Sequence, residues 1–285
     1  MGERIAVAAD TNSGITAEEA KAWGVTLIPM PFFIDGKVYY EGRTLTQADF
    51  YRHLEQNTEI STSQPAPGEV IETWEGLLKH YDRVIYIPMS SGLSSSAASA
   101  RLLAEDFDGK VLVVDNKRIS ATQRQAVLDA LYFVKQGLAA EKIRDILEQT
   151  GLDASIFITV DTLKYLQKGG RITPAAAAVG SVLNIKPVLQ IQGDKLDAHK
   201  KVRGWKSARR VMIEALESEL AGRFSGKDVW LGTAYSGDPK EGEAWRQTVQ
   251  EHFPDYDVYC GVLPLSISCH TGPGALGIGC MVRLY

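Results

Sequence analysis

Cysteine is scarce: Cys260, Cys269 and Cys280 are the three in 285 residues, and no two are spaced as Cys-x-x-Cys. So sparse and odd a set is expected as reduced thiols in a reducing compartment rather than as a disulfide framework. Long hydrophobic runs are also missing, and nothing approaches the ~18–20 apolar residues that a membrane span needs. The first ten residues carry no apolar stretch ahead of a small-residue cleavage site, so no signal peptide is expected. Ala6 stands where a myristoylation signal requires Ser or Thr. These gaps together predict a cytoplasmic protein with no stable membrane insertion.

Several chemistries lack their signatures. His53, His80, His199 and His252 are scattered without metal-ligand spacing, and no G-x-S-x-G nucleophile elbow occurs. The stretch from Gly222 to Lys227 has one residue too few for a P-loop, and Asp228 follows where Ser or Thr is needed. Gly272, Gly274 and Gly277 spell a literal G-x-G-x-x-G, but only eight residues follow. The helix, second strand and acidic residue of a dinucleotide site have no room there. A net charge of -4 argues against general nucleic-acid binding. What remains is ordinary globular material, 45% hydrophobic and 23% charged.

The first half alternates short apolar runs with helical patterns. Ile5-Ala9, Val25-Ile34, Val84-Pro88 and Val111-Asp115 read as strands. Thr16-Ala17-Glu18-Glu19 is a capping box opening a helix that stops at Gly24. Thr46 caps a helix through Leu54, and further helices are expected over 67–81, 94–105 and 121–135. This rhythm predicts a parallel sheet covered on both faces. The second half differs. Val188-Gln192 and Lys195-Ala198 flank Gly193-Asp194 as a hairpin, Trp205-Leu220 is an amphipathic helix, and 156–160, 229–235, 258–263 and 278–284 are strands. The expectation is an α/β protein of two domains, 1–152 and 153–285. The first is an N-terminal parallel-sheet, Rossmann-like domain and the second an α+β domain with a mixed sheet.

Three polar clusters stand out. Ser61-Thr62-Ser63-Gln64-Pro65 reads either as a helix-capping loop or as hydroxyl donors aimed at an oxygen-rich ligand. Ser90-Ser91-Gly92-Leu93-Ser94-Ser95-Ser96 lies between a strand and the next helix, where parallel sheets bind ligands. A helix N-terminus there favours an anion, although capping alone would also explain a serine. His270 precedes Gly272-Pro273-Gly274-Ala275, where glycine lets backbone approach a ligand; a structural hydrogen-bonding histidine is the plainer alternative. Between Lys164 and Arg210 stand 11 Lys and Arg against two acids, a local charge of +9. That stretch is either a solvated face or a docking face for an acidic partner or phosphate.

With these motifs the chain resembles the DegV family, whose characterised members act as the fatty-acid-binding subunit of bacterial fatty acid kinase. The likeness runs nearly end to end. It includes Asp10-Thr11-Asn12, Pro29-Met30, Tyr40-Glu41-Gly42, Thr62-Ser63-Gln64-Pro65, Ser90-Ser91-Gly92-Leu93-Ser94 and Val114-Asp115. It continues with Leu163-Lys164-Tyr165-Leu166, Lys168-Gly169-Gly170-Arg171-Ile172, Gly180-Ser181, Ile185-Lys186-Pro187 and His270-Thr271-Gly272-Pro273-Gly274-Ala275. Two departures stand beside it. Ser95-Ser96 replace the common Gly-Thr, and Asp115-Asn116 with Ser120-Ala121-Thr122-Gln123-Arg124 replace a serine- and glycine-rich stretch.

The resemblance implies a ligand tunnel between two domains and a bound fatty acid such as palmitate as sole ligand, with no cofactor or metal. It places Thr62, Ser94 and His270 at the carboxylate, with Gly92 and Ser95 near the ligand at the helix start. It also implies a catalytic kinase subunit as partner, served by Arg171 and Arg203. The chain itself would then be no enzyme. The competing classes are a serine hydrolase using Ser94, His270 and Asp10 or Asp115, and a DNA-associated role for the basic stretch.

Overall fold

The computed structural model describes residues 2–56, 58–178 and 185–285. The Gly180-Ser181 motif lies outside them.

Short, nearly continuous apolar runs build the first sheet. β1 (Ile5–Asp10), β2 (Val25–Ile28), β6 (Arg83–Ile87) and β7 (Val111–Val113) pair in parallel, in the order β2-β1-β6-β7. Period-2 alternation splits β1 between two cores. Ile5, Val7 and Ala9 pack under α1 (Ala17–Trp23), α5 (Ala121–Lys135) and α6 (Ala140–Gln149). Ala6 and Ala8 pack under α3 (Pro67–Leu78) and α4 (Ser96–Ala104). Both faces are covered, as a parallel sheet requires. Thr16 forms the expected capping box with Glu19, and Gly24 ends α1 at φ +70°.

Val25-Ile34 is not one strand. It divides into β2 and β3 (Pro31–Ile34), and the two join different sheets. Pro29 has no N–H for a ladder, and the Met30 N–H donates instead to Thr11 Oγ1 at 3.1 Å. β3 is the centre of a small antiparallel sheet with β4 (Lys37–Tyr40) and β5 (Ile60–Thr62). Together with α2 (Gln47–Glu55), capped by Thr46 as expected, that sheet shares a core with Leu265 and Cys269.

The second sheet is mixed, in the order β10-β9-β8-β13-β11-β12. Its strands are β8 (Ala154–Thr159), β9 (Ile185–Ile191), β10 (Asp197–Arg203), β11 (Val229–Tyr235), β12 (Val258–Val262) and β13 (Leu276–Val282). α9 (Gly204–Ala221) and α10 (Pro239–His252) cover one face around Met212, Leu216 and Trp245. Three short helices, α7 (Lys164–Gly169), α8 (Pro174–Ala177) and α11 (Leu265–Thr271), belong to the other side. The β9–β10 hairpin is looser than a two-residue turn. Leu196 pairs with Arg171 and Thr173 rather than with β9, so β10 begins at Asp197.

Candidate functional site

The mixed sheet turns the face away from α9 and α10 toward the segments that follow β1, β2 and β6 and toward the start of α5, and between them lies a cavity of about 360 Å³. That is within the range of about 300–1,000 Å³ for small-molecule sites. Ile156, Ile158 and Ile191 of β8 and β9 face Met30, Met89, Leu93 and Ile267 across it. On β11 and β13 the alternation sends Leu231, Ile278 and Cys280 into the helix-covered core. The opposite face keeps Gly232, Ala234, Gly277 and Gly279, all lining the cavity. Register sets Gly232 opposite Gly279 and Ala234 opposite Gly277. A Cβ on Gly232 or Gly277 would meet its nearest neighbour at 3.5 or 3.7 Å, so these glycines leave usable volume. One on Gly279 would fall 2.8 Å from Ser155 O, so there glycine is a steric necessity.

Thr62 ends β5, where pairing with Phe32 fixes it beside the cavity. His270 comes from the last turn of α11, and its Nε2 lies 3.1 Å from Thr62 Oγ1. Ser94 sits just ahead of α4. Its Oγ accepts the Ser96 N–H at 3.2 Å and shares a hydrogen bond with Ser96 Oγ at 2.7 Å. The helix therefore begins two residues later than the sequence suggests, with Ser95 at its N-cap making no side-chain cap bond. Ser95 and Ser99 hydroxyls donate instead to Gln64 Oε1 at 3.0 and 2.8 Å, tying the TSQP loop to α4. Arg171 donates to the carbonyls of Leu93, at 3.3 Å, and Gly169.

Thr62, Ser94, Ser95, Arg171 and His270 thus line one cavity; Gly92 and Arg203 lie elsewhere. Gly92 packs on the Gly193-Asp194 turn, where a Cβ would fall 2.5 Å from Asp194 Cα. Arg203 is exposed at the end of edge strand β10, with Lys200 and Lys201 exposed beside it. Charged side chains on such a strand also discourage edge-to-edge pairing. Part of the basic stretch is paired off, Lys186 with Asp161, Arg209 with Glu241 and Arg210 with Glu214.

Burial, helped by the nearby Arg171 charge, holds the His270 imidazole down to about 4, so it is neutral at pH 7. Its Nδ1 is buried without a partner among the described residues. An unpaired buried N–H costs more than a bare lone pair, so the proton belongs on Nε2 and is donated to Thr62 Oγ1. The Thr62 hydroxyl hydrogen is then free to point into the cavity. Gly169 makes this arrangement possible, because a Cβ there would fall 2.1 Å from His270 Nδ1. Gly272, at φ +74°, similarly admits the Tyr165 ring. Gly169 and Gly272, the second from the stretch that reads as a ligand loop, therefore seat α7 and α11 against each other.

The hydrolase arrangement does not form. Ser94 is bonded to Ser96 rather than to His270, and among the described residues no carboxylate orients the imidazole. Asp10 is fully buried and accepts from the N–H groups of Met89 and Asn12 and from Gln123. Asp115 pairs with Lys117 and with the Ser91 N–H. Composition gave no sign of the small-residue floor, and the Tyr40-Glu41-Gly42 motif gave none of the bond that Glu41 makes to α11. The floor depends on register between strands that are far apart in sequence.

The family model described as "Uncharacterised protein, DegV family" matches residues 4–283. A DegV domain-containing protein of Deinococcus radiodurans is 33% identical over 276 residues, 96% of this chain and 97% of the relative. A DegV family protein of Thermus thermophilus, described by its fatty acid binding, superposes with a TM-score of 0.90 at 29% identity. That match covers 98% of this chain and 100% of the other. DegV of Bacillus subtilis, described as a fatty acid binding protein, gives a TM-score of 0.87 at 28% identity, over 99% and 100% of the two chains.

Proposed function

The chain belongs to the DegV family, and on that premise we propose that it carries a long-chain fatty acid such as palmitate. The acyl chain fills the cavity and the carboxylate is held by Thr62, Ser94 and His270. One observation carries the reading: Thr62 and His270, 208 residues apart in sequence, meet at 3.1 Å on the wall of an otherwise largely apolar cavity. The relatives described as fatty acid binding support it.

The physical balance is favourable. Each methylene leaving water contributes about 0.8 kcal/mol, against the cost of association and of ordering the chain. A carboxylate entering the same space needs donors, because an unpaired charge there is expensive. The Thr62 and Ser94 hydroxyls supply them, and Arg171 supplies the neighbouring positive charge. A hydrogen bond to a charged group contributes about 1.5–3 kcal/mol. His270 acts through Thr62, whose hydroxyl hydrogen it turns toward the ligand, and its ring faces the carboxylate from the same wall.

The finer part of the proposal is a division of labour. A partner kinase subunit brings ATP and metal, and a carboxylate oxygen attacks the γ-phosphorus. ADP leaves, and the product is an acyl phosphate. Exposed Arg203, with Lys200 and Lys201, forms a basic edge to which an acidic kinase surface would dock. Native mass spectrometry of the protein purified from cells tests the carrier reading. A bound long-chain fatty acid is expected; no lipid and no uptake of added palmitate would overturn it.

A further inference from the structure

We propose that Glu41 is a positioning residue for His270: its carboxylate caps, from the other half of the chain, the helix that carries the imidazole. α11 has seven residues and begins after Pro264, which offers no side-chain cap. A helix that short does not hold itself together and takes its stability from tertiary contacts. Its first N–H, that of Leu265, donates to Glu41 Oε2 at 2.8 Å across 224 residues of sequence. A negative group at a helix N-terminus satisfies an orphan donor and complements the helix dipole.

Glu41 is itself held rigidly. The N–H groups of Arg43, Thr44 and Leu45 converge on Tyr40 O, and the Gly42 N–H donates to Leu45 O. Gly42 sits at φ +71°, a left-handed position that suits glycine. Leu45 is buried in the same core as Leu265 and Cys269, so the turn and the helix share one packing unit. Two further bonds from this unit reach along α11. Tyr51 Oη donates to Ser268 Oγ at 3.2 Å and accepts the Gly237 N–H at 2.9 Å. Thr62 meets His270 at the far end, about 7.5 Å along the axis from Leu265 at 1.5 Å per residue. Burial raises the Glu41 pKa, opposed by the Leu265 N–H and by Gln47. A carboxylate kept in so unfavourable a place needs a bond that offsets its burial, and the α11 cap is that bond.

The inference deepens the carrier reading and rests on it for one of two readouts. NMR titration of His270 in the ligand-free protein is read beside palmitate affinity, in wild type, E41A and E41Q. In E41A, α11 loosens and its imidazole gains solvent. Its titration is expected to move from about 4 toward the ordinary 6.5, and palmitate affinity to fall about fivefold or more. Gln keeps an oxygen acceptor for the Leu265 N–H, so E41Q is expected near wild type in both. Unchanged titration and affinity in E41A would overturn the proposal, as would E41Q behaving like E41A. If E41A fails to fold, E41D is read the same way, since it withdraws the carboxylate by one methylene. Wild type that binds no palmitate would sink the carrier reading alone, and the His270 titration would still decide the role of Glu41.

Discussion

The two ends of the proposed ligand are met by regions built in opposite ways. The head region, Thr62, Ser94, Arg171 and His270, gathers side chains from four separate segments and binds by what those side chains contribute. The floor, Gly232, Ala234, Gly277 and Gly279, comes from two paired strands and binds by what its side chains leave out. Directional bonds discriminate a carboxylate from other groups, whereas empty volume discriminates one chain length or shape from another. Head and tail preference should therefore be separable by mutation.

The largest expected effect is at the head. T62A/S94A removes two donors to a charged group, about 3–6 kcal/mol in sum, so palmitate affinity should fall at least about a hundredfold. Titration calorimetry checks this, and wild-type affinity would break the assignment of the head. The next effect is on stability. His270 is held near 4 when folded against 6.5 ordinarily, so the unfolded chain binds its proton more readily. That contribution is fully present above 6.5 and is lost as pH falls toward 4, by up to about 3 kcal/mol. Buried Asp10 and partly buried Glu41 are raised instead and act in the opposite direction. The difference between wild type and H270Q in urea melts from pH 7 to 4.5 isolates the histidine, and parallel curves would contradict its assigned state.

The floor should respond in another way. G232L puts a side chain into the lane and displaces roughly three methylenes, about 2.4 kcal/mol at 0.8 each. Palmitate should weaken by tens of fold while a chain three or four carbons shorter is little affected. Equal losses for both lengths would mean that the floor does not read length. The smallest effect on lipid is expected from R203A, which should leave palmitate affinity unchanged while lowering acyl-phosphate formation with a kinase partner; undiminished formation would remove Arg203 from docking.

The same contrast explains what was legible beforehand. Head residues lie in dense local clusters, and the Ser90–Ser96 run and His270 before its glycines could be picked out by eye. A capping box and short apolar strands also declared themselves, as at Thr16 and Ile5-Ala9. α11 did not, because six of its seven residues are buried and no apolar stripe marks a face. The split at Pro29 is a tertiary event, since it depends on the Met30 N–H reaching Thr11. The floor was hidden for a third reason. Glycine in a strand ordinarily signals weakness, and only the pairing of Gly232 with Gly279 makes it a groove.

A crystal structure with bound palmitate tests the central claim most directly. The account predicts one carboxylate oxygen within hydrogen-bond distance of Thr62 Oγ1 and Ser94 Oγ, with the chain running over Gly232 and Gly279. A ligand lying the other way round, or a carboxylate bonded away from Thr62 and Ser94, would contradict it.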